Sequence, residues 1–527
     1  MKRIYVYFEK KYRDTSSGSW VSSLIFIGLG LSATLWFLIR VIPKPSRATY
    51  PCMQAAAPLM SSFVIYLISL WGGLKAFSKS SRLLKQGKFG LAACFVLTGL
   101  IFGLVFTFNN VKDIRANVVE TSSPTPVFML PPNTPQGDAK GIFPGRVAWV
   151  YAPNTANWDE TTGFWFEDRW NHQANCDQMI RQSLSVLTGK ENEKEAWTVL
   201  FSYFNKNKGK KTLTYQTGEK IAVKINQNNT YSHEDSEELN ASPHLTLSLL
   251  RSLVKEAGVP EDRITVFDAS RFITDYLYNK CASEFPRVKF VDNSGGDGRL
   301  KSTYCSDAMK YSADNGKLAT GVATCLEEAD YVVNFAILKG HVGQGVTLCA
   351  KNWYGVLDIH ADWRKNFHNN FNQDTNGKAQ YMTFVDFMGH QYTGEKTLIY
   401  FIDGLYGSEK VNGVPSGKWN LSPFNGNWPN SLFASQDPVA VDAVGLDFLS
   451  SEWPAMVDIN YADMYMLEAS LANHPPSGTF YDPEKNGAGL KSLGVVEHWN
   501  NPTDKKYSRN LGKNEGIELV FKQVGKD

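Results

Sequence analysis

The sequence predicts an α/β protein. A soluble domain with three layers, a mostly parallel sheet and long insertions is expected to follow an N-terminal three-helix membrane region. Three long apolar runs within the first 110 residues predict the membrane region. Apolar strand segments that alternate with helix patterns after residue 145 predict the layered domain. The net charge of the 527 residues is only +2, which argues against nucleic acid as a partner.

The membrane helices are predicted at about residues 20–39, 57–74 and 90–108, within a region that covers residues 1–110. Basic residues are more numerous before the first run and after the second than between the first two. The protein is therefore expected in the cell inner membrane as a multi-pass protein, with its large C-terminal domain on the periplasmic side. If the second run only lies in the interface, that domain changes sides.

Residues 111–144 are rich in Pro, Ser and Thr, which is typical of a linker, and residues 145–527 are predicted to form the α/β domain. Ser242 and Pro243 predict the start of an amphipathic helix that ends near Gly258, and Asp437 with Pro438 predicts the start of another. Long insertions are expected at residues 293–326 and 358–394. The predicted strands lie at residues 145–153, 219–229, 263–270, 329–338 and 396–407.

Unusual polar residues follow the predicted strands. In parallel sheets, ligands bind beyond the carboxyl ends of the strands, so these residues are expected to form one site. Lysines and a glycine-rich loop favour a small anionic ligand. The candidate catalytic residues are Lys339, His341 and Lys351. The candidate ligand-binding residues are Lys224, Asn226, Asn228, Asn352, Gly343 and Gly345, and Asp268, Asp403 and Asp437 are candidate metal ligands.

Two alternatives remain open for these residues. Lys224 and Lys351 are also explained by internal salt bridges with Asp268 and Asp403, with the glycines only making a turn. The segment "DIHADW" places Asp358, His360 and Asp362 at alternate positions ahead of His368, a spacing that suits a metal or a solvated surface. Sequence motifs of phosphate-binding loops, serine hydrolases, zinc proteases and dinucleotide-binding folds do not occur.

The motifs "VKINQNN", "ITVFDAS", "DYVVNFAILKGH", "AKNWYG" and "QDPVAVDAVG" resemble the family called domain of unknown function 362, over roughly residues 145–494. The membrane helices would make this chain a membrane-anchored variant. Some relatives carry ferredoxin-like cysteine clusters, but this chain has no such run, so the resemblance does not imply an intrinsic iron–sulfur cluster. The positions that match the family pattern are Lys224, Asn226, Asp268, Lys339, His341, Lys351, Asn352, Gly355, Asp437 and Asp442.

The expected function is binding of a small anionic ligand, with a divalent metal as an open option and with the reaction undetermined. A noncatalytic redox-partner or envelope-assembly module is the first alternative. A weaker resemblance of residues 242–270 to the lactate racemase family implies a second, a metalloenzyme that acts on hydroxy acids.

Overall fold

The computed structural model describes residues 125–313, 319–358 and 370–525, together with scattered positions between residues 31 and 98. The chain divides into two compact units, Met1–Ser122 and Ser123–Asp527.

The first unit corrects the predicted membrane region. Among the positions described there and elsewhere, no helix combines the length and the apolar character needed to cross a membrane. This finding contradicts the predicted helices at residues 20–39, 57–74 and 90–108, the integral membrane association and the multi-pass location. Many positions of those three runs lie outside the described residues.

The second unit is built on a ten-stranded mixed sheet. Its strand order is β14-β2-β12-β11-β9-β3-β4-β5-β6, and β10 pairs with β9 outside this path. The strands of this sheet are β2 (Arg146–Tyr151), β3 (Ile221–Lys224), β4 (Ile264–Asp268), β5 (Lys289–Asp292), β6 (Leu300–Lys301), β9 (Tyr331–His341), β10 (Gly345–Thr347), β11 (Thr397–Ser408), β12 (Ser431–Ser435) and β14 (Glu518–Gln523). Two small sheets pair β1 (Gln136–Gly137) with β13 (Val495–Val496), and β7 (Tyr304–Lys310) with β8 (Ala319–Ala323).

Most strands of the large sheet run in the same direction. β11, β9, β3, β4, β5 and β6 are parallel neighbours, whereas β12 runs antiparallel to both β11 and β2. β10 returns along β9 as a short hairpin. These directions agree with the prediction of a mostly parallel sheet, and the sheet is mixed because β10 and β12 are reversed. The apolar runs did not reveal those two reversals, because an apolar run shows that a strand is buried but does not show its direction.

Helices cover both faces of the sheet. They are α1 (Gln173–Thr188), α2 (Glu193–Asn207), α3 (Pro243–Arg251), α4 (Asp275–Glu284), α5 (Thr324–Glu328), α6 (Cys349–Asn352), α7 (Thr383–Gly389), α8 (Pro438–Glu452) and α9 (Met464–Ser470). Along β2, Val147 and Trp149 join one hydrophobic cluster, while Ala148 and Val150 join the other. This alternation follows from the two-residue period of a strand, and it yields a helix layer on each face.

The predicted helix starts match the capping geometry. Ser242 precedes α3, and its hydroxyl accepts a hydrogen bond from the amide of Leu245 at 3.3 Å. Asp437 precedes α8, and its carboxylate accepts from the amides of Val439 and Ala440. In both helices proline occupies the first turn. The N–H groups of that turn have no partner within the helix, so the N–H that proline lacks is not needed there.

Two segments predicted as irregular contain ordered structure. Residues 125–144, within the predicted linker, include β1, and the amides of Met129 and Leu130 donate to the carboxylate of Asp463. The insertion at residues 293–326 contributes the β7–β8 hairpin and part of α5. Residues 359–369 lie outside the described part, so His360, Asp362 and His368 of the alternative metal motif do as well.

Candidate functional site

A pocket lies at the carboxyl ends of β3, β4 and β9, three neighbouring parallel strands. Its cavity volume is about 70 Å³. Most of the predicted site residues line it, namely Lys224, Asn226, Asn228, Asp268, His341, Lys351 and Asn352. Residues far apart in sequence thus reach one edge of the sheet, because parallel strands all end there.

Lys224 and Asp268 form a buried ion pair at the base of this pocket. The Nζ atom of Lys224 lies 3.2 Å from Oδ2 of Asp268, and both side chains are almost fully buried. Burial lowers the pKa of Lys224, and the charge of Asp268 opposes that effect. The same ammonium donates to Oδ1 of Asn352 at 3.1 Å and to the carbonyl of Ile225 at 2.5 Å. Every proton of Lys224 is therefore engaged within the protein.

Asp268 is equally well engaged. Its carboxylate accepts hydrogen bonds from the amide of Gln227 at 2.9 Å and from the amide and hydroxyl of Ser270 at 3.2 Å each. These hydrogen bonds hold the carboxylate in one orientation at the pocket wall. The salt-bridge alternative is thus realised for Lys224 with Asp268.

Asn352 connects the strand ends through its amide group. Its Oδ1 accepts from Lys224 and from Nδ2 of Asn226 at 3.3 Å, while its Nδ2 donates to Oδ1 of Asn334 at 2.8 Å. Nδ2 of Asn334 donates in turn to the carbonyl of Cys349. This buried network fixes α6, the short helix that carries Lys351, against the end of β3 and against Asn334 within β9.

Lys351 differs from Lys224 because it retains accessible surface at the pocket. Its Nζ atom lies 4.1 Å from the ring centre of Tyr354 and 5.5 Å from that of Phe371. Within the described part of the chain it forms no salt bridge, so the alternative pairing with Asp403 is not seen there. Burial, together with the positive charges of Arg271 and Lys339, lowers the pKa of Lys351 to about 7.

Lys339 is fully buried and does not line the pocket. It lies within β9, and its Nζ atom donates to the carbonyl of Leu239 at 3.4 Å. Burial lowers the pKa of Lys339 to about 7, although the charges of Glu238 and Asp268 act in the opposite direction. Its charge adds to the positive potential around Lys351 without direct access to a ligand.

Arg271, Ser270, Thr347 and Tyr354 also line the pocket, and they were not predicted as site residues. Arg271 follows β4, and its Nε donates to the carbonyl of Asn228 at 2.7 Å. The signal that could have found Arg271 is its place three residues after Asp268, in the loop that leaves the strand end. Tyr354 lies one helical turn beyond Lys351, within reach of its ammonium.

Gly355 explains how the ion pair fits beneath the pocket. A β-carbon at this position would lie 2.6 Å from Nζ of Lys224 and 2.7 Å from Oδ1 of Asp268. Any larger residue would displace the pair, which accounts for glycine here.

Gly343 and Gly345 lie in the turn between β9 and β10 and do not line the pocket. Both have positive φ angles, and the amide of Gly343 donates to Oδ2 of Asp458 at 2.6 Å. A β-carbon on Gly345 would lie 2.7 Å from the carbonyl oxygen of Asp458. Their conformation serves a tight turn and a close backbone contact.

Asp403 and Asp437 lie away from the pocket. Oδ2 of Asp403 accepts from the amide of Ser242 at 3.0 Å and so holds the start of α3. Asp437 follows β12, whose direction is reversed, so it reaches the opposite edge of the sheet. Burial raises the pKa of each carboxyl to about 6. Across the described residues, no group of three or more His, Cys, Asp or Glu side chains is arranged to hold a metal ion.

The charges that line the pocket do not cancel. Lys224, Arg271 and Lys351 contribute cations, and Asp268 is the carboxylate that faces them among the lining residues described. Arg271 and Lys351 add positive charge beyond the Lys224–Asp268 pair among the described lining residues, and an anion beside Lys351 favours the charged form of that lysine. At a buried site, such an excess attracts an anion more strongly than it would on an exposed surface.

Comparison with known proteins places this site within a family. Residues 221–447 match the family model described as "Domain of unknown function (DUF362)". The matched range begins with β3 and includes β4, β9 and α6, which supply the pocket. A search of curated proteins gives no match. The predicted family resemblance is confirmed, whereas its membrane-anchored detail is not. Through residues 221–447, the chain belongs to the family described as Domain of unknown function (DUF362).

Proposed function

We propose that this protein binds a small anion in the strand-end pocket, with Lys351 and Arg271 holding its negative charge. The observation that carries the proposal is the excess of cations over carboxylates in a small, largely enclosed cavity. Lysine and arginine suit a carboxylate or phosphate group because both donate charge-assisted hydrogen bonds.

The size of the cavity limits the ligand. A water-sized group needs about 10–15 Å³, so a cavity of about 70 Å³ holds roughly five such groups. That room suits a compact acid or an inorganic oxyanion. The amides of Asn226 and Asn228 add polar groups at the wall, which can orient a ligand that also carries a hydroxyl or carbonyl oxygen.

A catalytic role for the site is supported by the lysine chemistry. A side chain with a pKa of about 7 exchanges protons readily near neutral pH, and Lys351 combines this property with access to the cavity. His341 lines the same cavity and is a second group for proton transfer. Lys339 acts through its charge, since it does not reach the cavity.

The test is a thermal-shift and calorimetric survey of small carboxylates and phosphates with the full chain. Lys351→Met should weaken binding of the best ligand by roughly ten- to hundredfold, because a hydrogen bond to a charged group contributes about 1.5–3 kcal/mol. Lys522→Met is the matched control, since Lys522 is an exposed lysine on the edge strand β14. Equal loss in both variants, or no stabilisation by any anion tested, would refute the proposal.

A further inference from the structure

The buried lysines of the site differ in what their amines can reach. Lys224 is fully buried, and its ammonium group donates hydrogen bonds to the carbonyl of Ile225 and to the side chains of Asp268 and Asn352. Lys339 is also fully buried, and its Nζ atom points to the carbonyl of Leu239, outside the cavity lining. Lys351 alone of these lysines combines accessible surface with a place in the cavity wall.

The surroundings of Lys351 favour an uncharged amine. No carboxylate of the described chain forms a salt bridge with it. The rings of Tyr354 and Phe371, whose centres lie 4.1 Å and 5.5 Å from its Nζ atom, favour the charged form, but burial acts against them. Desolvation and the charges of Arg271 and Lys339 lower its pKa to about 7. At pH 7 its neutral fraction is then roughly a thousandfold larger than that of an ordinary lysine. A desolvated lysine beside other cations is the usual form of a nucleophilic amine.

We propose that Lys351 forms an imine with the carbonyl carbon of a small 2-oxo acid bound in this pocket. The inference rests on the proposed function, because the carboxylate of the oxo acid is the anion that Arg271 would hold. Asn226, Asn228 and His341 line the same cavity, where they would meet the remaining oxygen. A six-atom acid such as pyruvate matches the room available.

The step balances without an oxidant or a cofactor. The lone pair of the Lys351 amine forms the N–C bond, and the carbonyl π pair moves to oxygen, which takes a proton. The nitrogen then loses one of its protons, which gives a carbinolamine. The hydroxyl group takes up a second proton and leaves as water when the C–O bond breaks, while the nitrogen lone pair forms the C=N bond. The nitrogen then loses its remaining proton. His341 can supply the two protons to oxygen in turn and take back the two from nitrogen. The products are the imine and one water molecule.

The experiment treats the full chain with pyruvate and borohydride, which reduces an imine to a stable amine, and then maps the modified peptide by mass spectrometry. Lactate is the matched control ligand, since it has the same carboxylate but no carbonyl group. Lys351→Arg is the matched variant, since it keeps the charge and removes the nucleophile. We expect the adduct on Lys351 with pyruvate only, increasing as the pH rises through 7, and its complete loss in Lys351→Arg.

Two results would overturn the inference. If pyruvate and lactate both stabilise the protein equally and Lys351 stays unmodified, the imine is refuted while anion binding stands. If neither acid binds and no adduct forms, binding of small carboxylates is refuted as well. Modification of Lys224, or equal modification of the exposed Lys522, would also refute the assignment. Mapping uses the unaltered protein, so the test remains decisive if Lys351→Arg does not fold.

Discussion

Lys351 is the residue whose protonation the pocket controls. Its pKa of about 7 is set by burial and by the neighbouring cations. A bound anion should raise this pKa, so Lys351 should take up a proton when the anion binds. We therefore expect the affinity for lactate or phosphate to fall above about pH 7, by up to about tenfold per pH unit. Calorimetry between pH 6 and pH 9 measures this slope. Lys351→Arg should flatten it, and a flat profile in the unaltered protein would contradict the account.

The ion pair between Lys224 and Asp268 should contribute to the stability of the domain. Lys224→Met leaves the carboxylate of Asp268 buried without its cation, which should lower the free energy of unfolding by about 3–5 kcal/mol. Urea unfolding measures this loss. The double variant Lys224→Met with Asp268→Asn should recover part of it, and a double variant no more stable than the single one would argue against the pairing.

Individual site residues differed in how far the sequence revealed them. Lys224, Asp268 and Lys351 stood out because polar residues directly after apolar strand segments are conspicuous. Arg271 and Tyr354 were not predicted, since a loop arginine and a tyrosine near a helix end have no pattern that separates them from surface and core residues. Asp437 had such a signal, yet it lies at the opposite edge of the sheet.

The short helix α6 carries Lys351, and Asp442 on α8 holds its start. The carboxylate of Asp442 accepts from the amides of Cys349 at 2.8 Å and Ala350 at 3.0 Å, and from the hydroxyl of Tyr465 at 2.8 Å. Asp442→Ala should therefore weaken anion binding although Asp442 does not line the pocket. It should also cost about 1–3 kcal/mol of stability, because buried amides lose their acceptor. Wild-type affinity in this variant would show that α6 holds its position independently.

The same carboxyl predicts a pH dependence of stability. Burial raises the pKa of Asp442 from 3.8 to about 6, so the folded state binds its proton more tightly than the unfolded state. Its contribution to the free energy of unfolding should therefore decline as the pH rises from about 4 to about 6. Chemical denaturation of the protein and of Asp442→Asn across that range measures the difference. A constant difference between the two proteins would contradict the raised pKa.

At the level of elements, local sequence patterns were sufficient for most of the domain. Ser242 with Pro243 identified the start of α3, and the apolar runs identified β3, β4 and β9 because their residues are buried on both faces. Residues 339–341 were predicted as a loop, yet they continue β9. Neither that continuation nor the reversed β12 has a local signal, because both depend on pairing with distant strands.

Across the whole domain, a buried charge cluster joins segments from its beginning, middle and end. His498 lies 2.6 Å from Asp447 and 3.3 Å from Asp463, and its ring stacks on Phe128 at 4.3 Å. Burial alone would lower the pKa of His498, but the two carboxylates outweigh it and raise the pKa to about 10. The cluster thus ties the segment near Phe128 to α8 and to the C-terminal region.

His498→Gln should lower the free energy of unfolding by about 3–5 kcal/mol at neutral pH, because two buried carboxylates lose their cation. The stabilisation is fully present below the unfolded pKa of about 6.5 and disappears as the pH rises through about 10. Urea unfolding at pH 6, 8 and 10 measures it. His474→Gln is the control, since His474 is exposed. Equal stability of the two variants at pH 6 would contradict the role of the cluster.

For the molecule as a whole, the alternation of apolar strand segments with helix patterns predicted the α/β class. The long apolar runs predicted membrane helices in the first unit, but the described residues contain no helix with the length and apolar character needed to cross a membrane. The family and the location of the site were accessible because both depend on motifs at strand ends within residues 221–447. The ligand could not be predicted from the sequence, since its recognition depends on how the charged side chains are arranged in space.

We propose that cations from distant segments form one anion-binding pocket. A crystal structure of the protein with a bound small carboxylate tests it most directly. We predict ligand oxygens within hydrogen-bond distance of Lys351 Nζ and of the Arg271 guanidinium, above an intact Lys224–Asp268 pair. A ligand bound elsewhere, or Lys224, Asp268 and Lys351 found on separate surfaces, would contradict the claim.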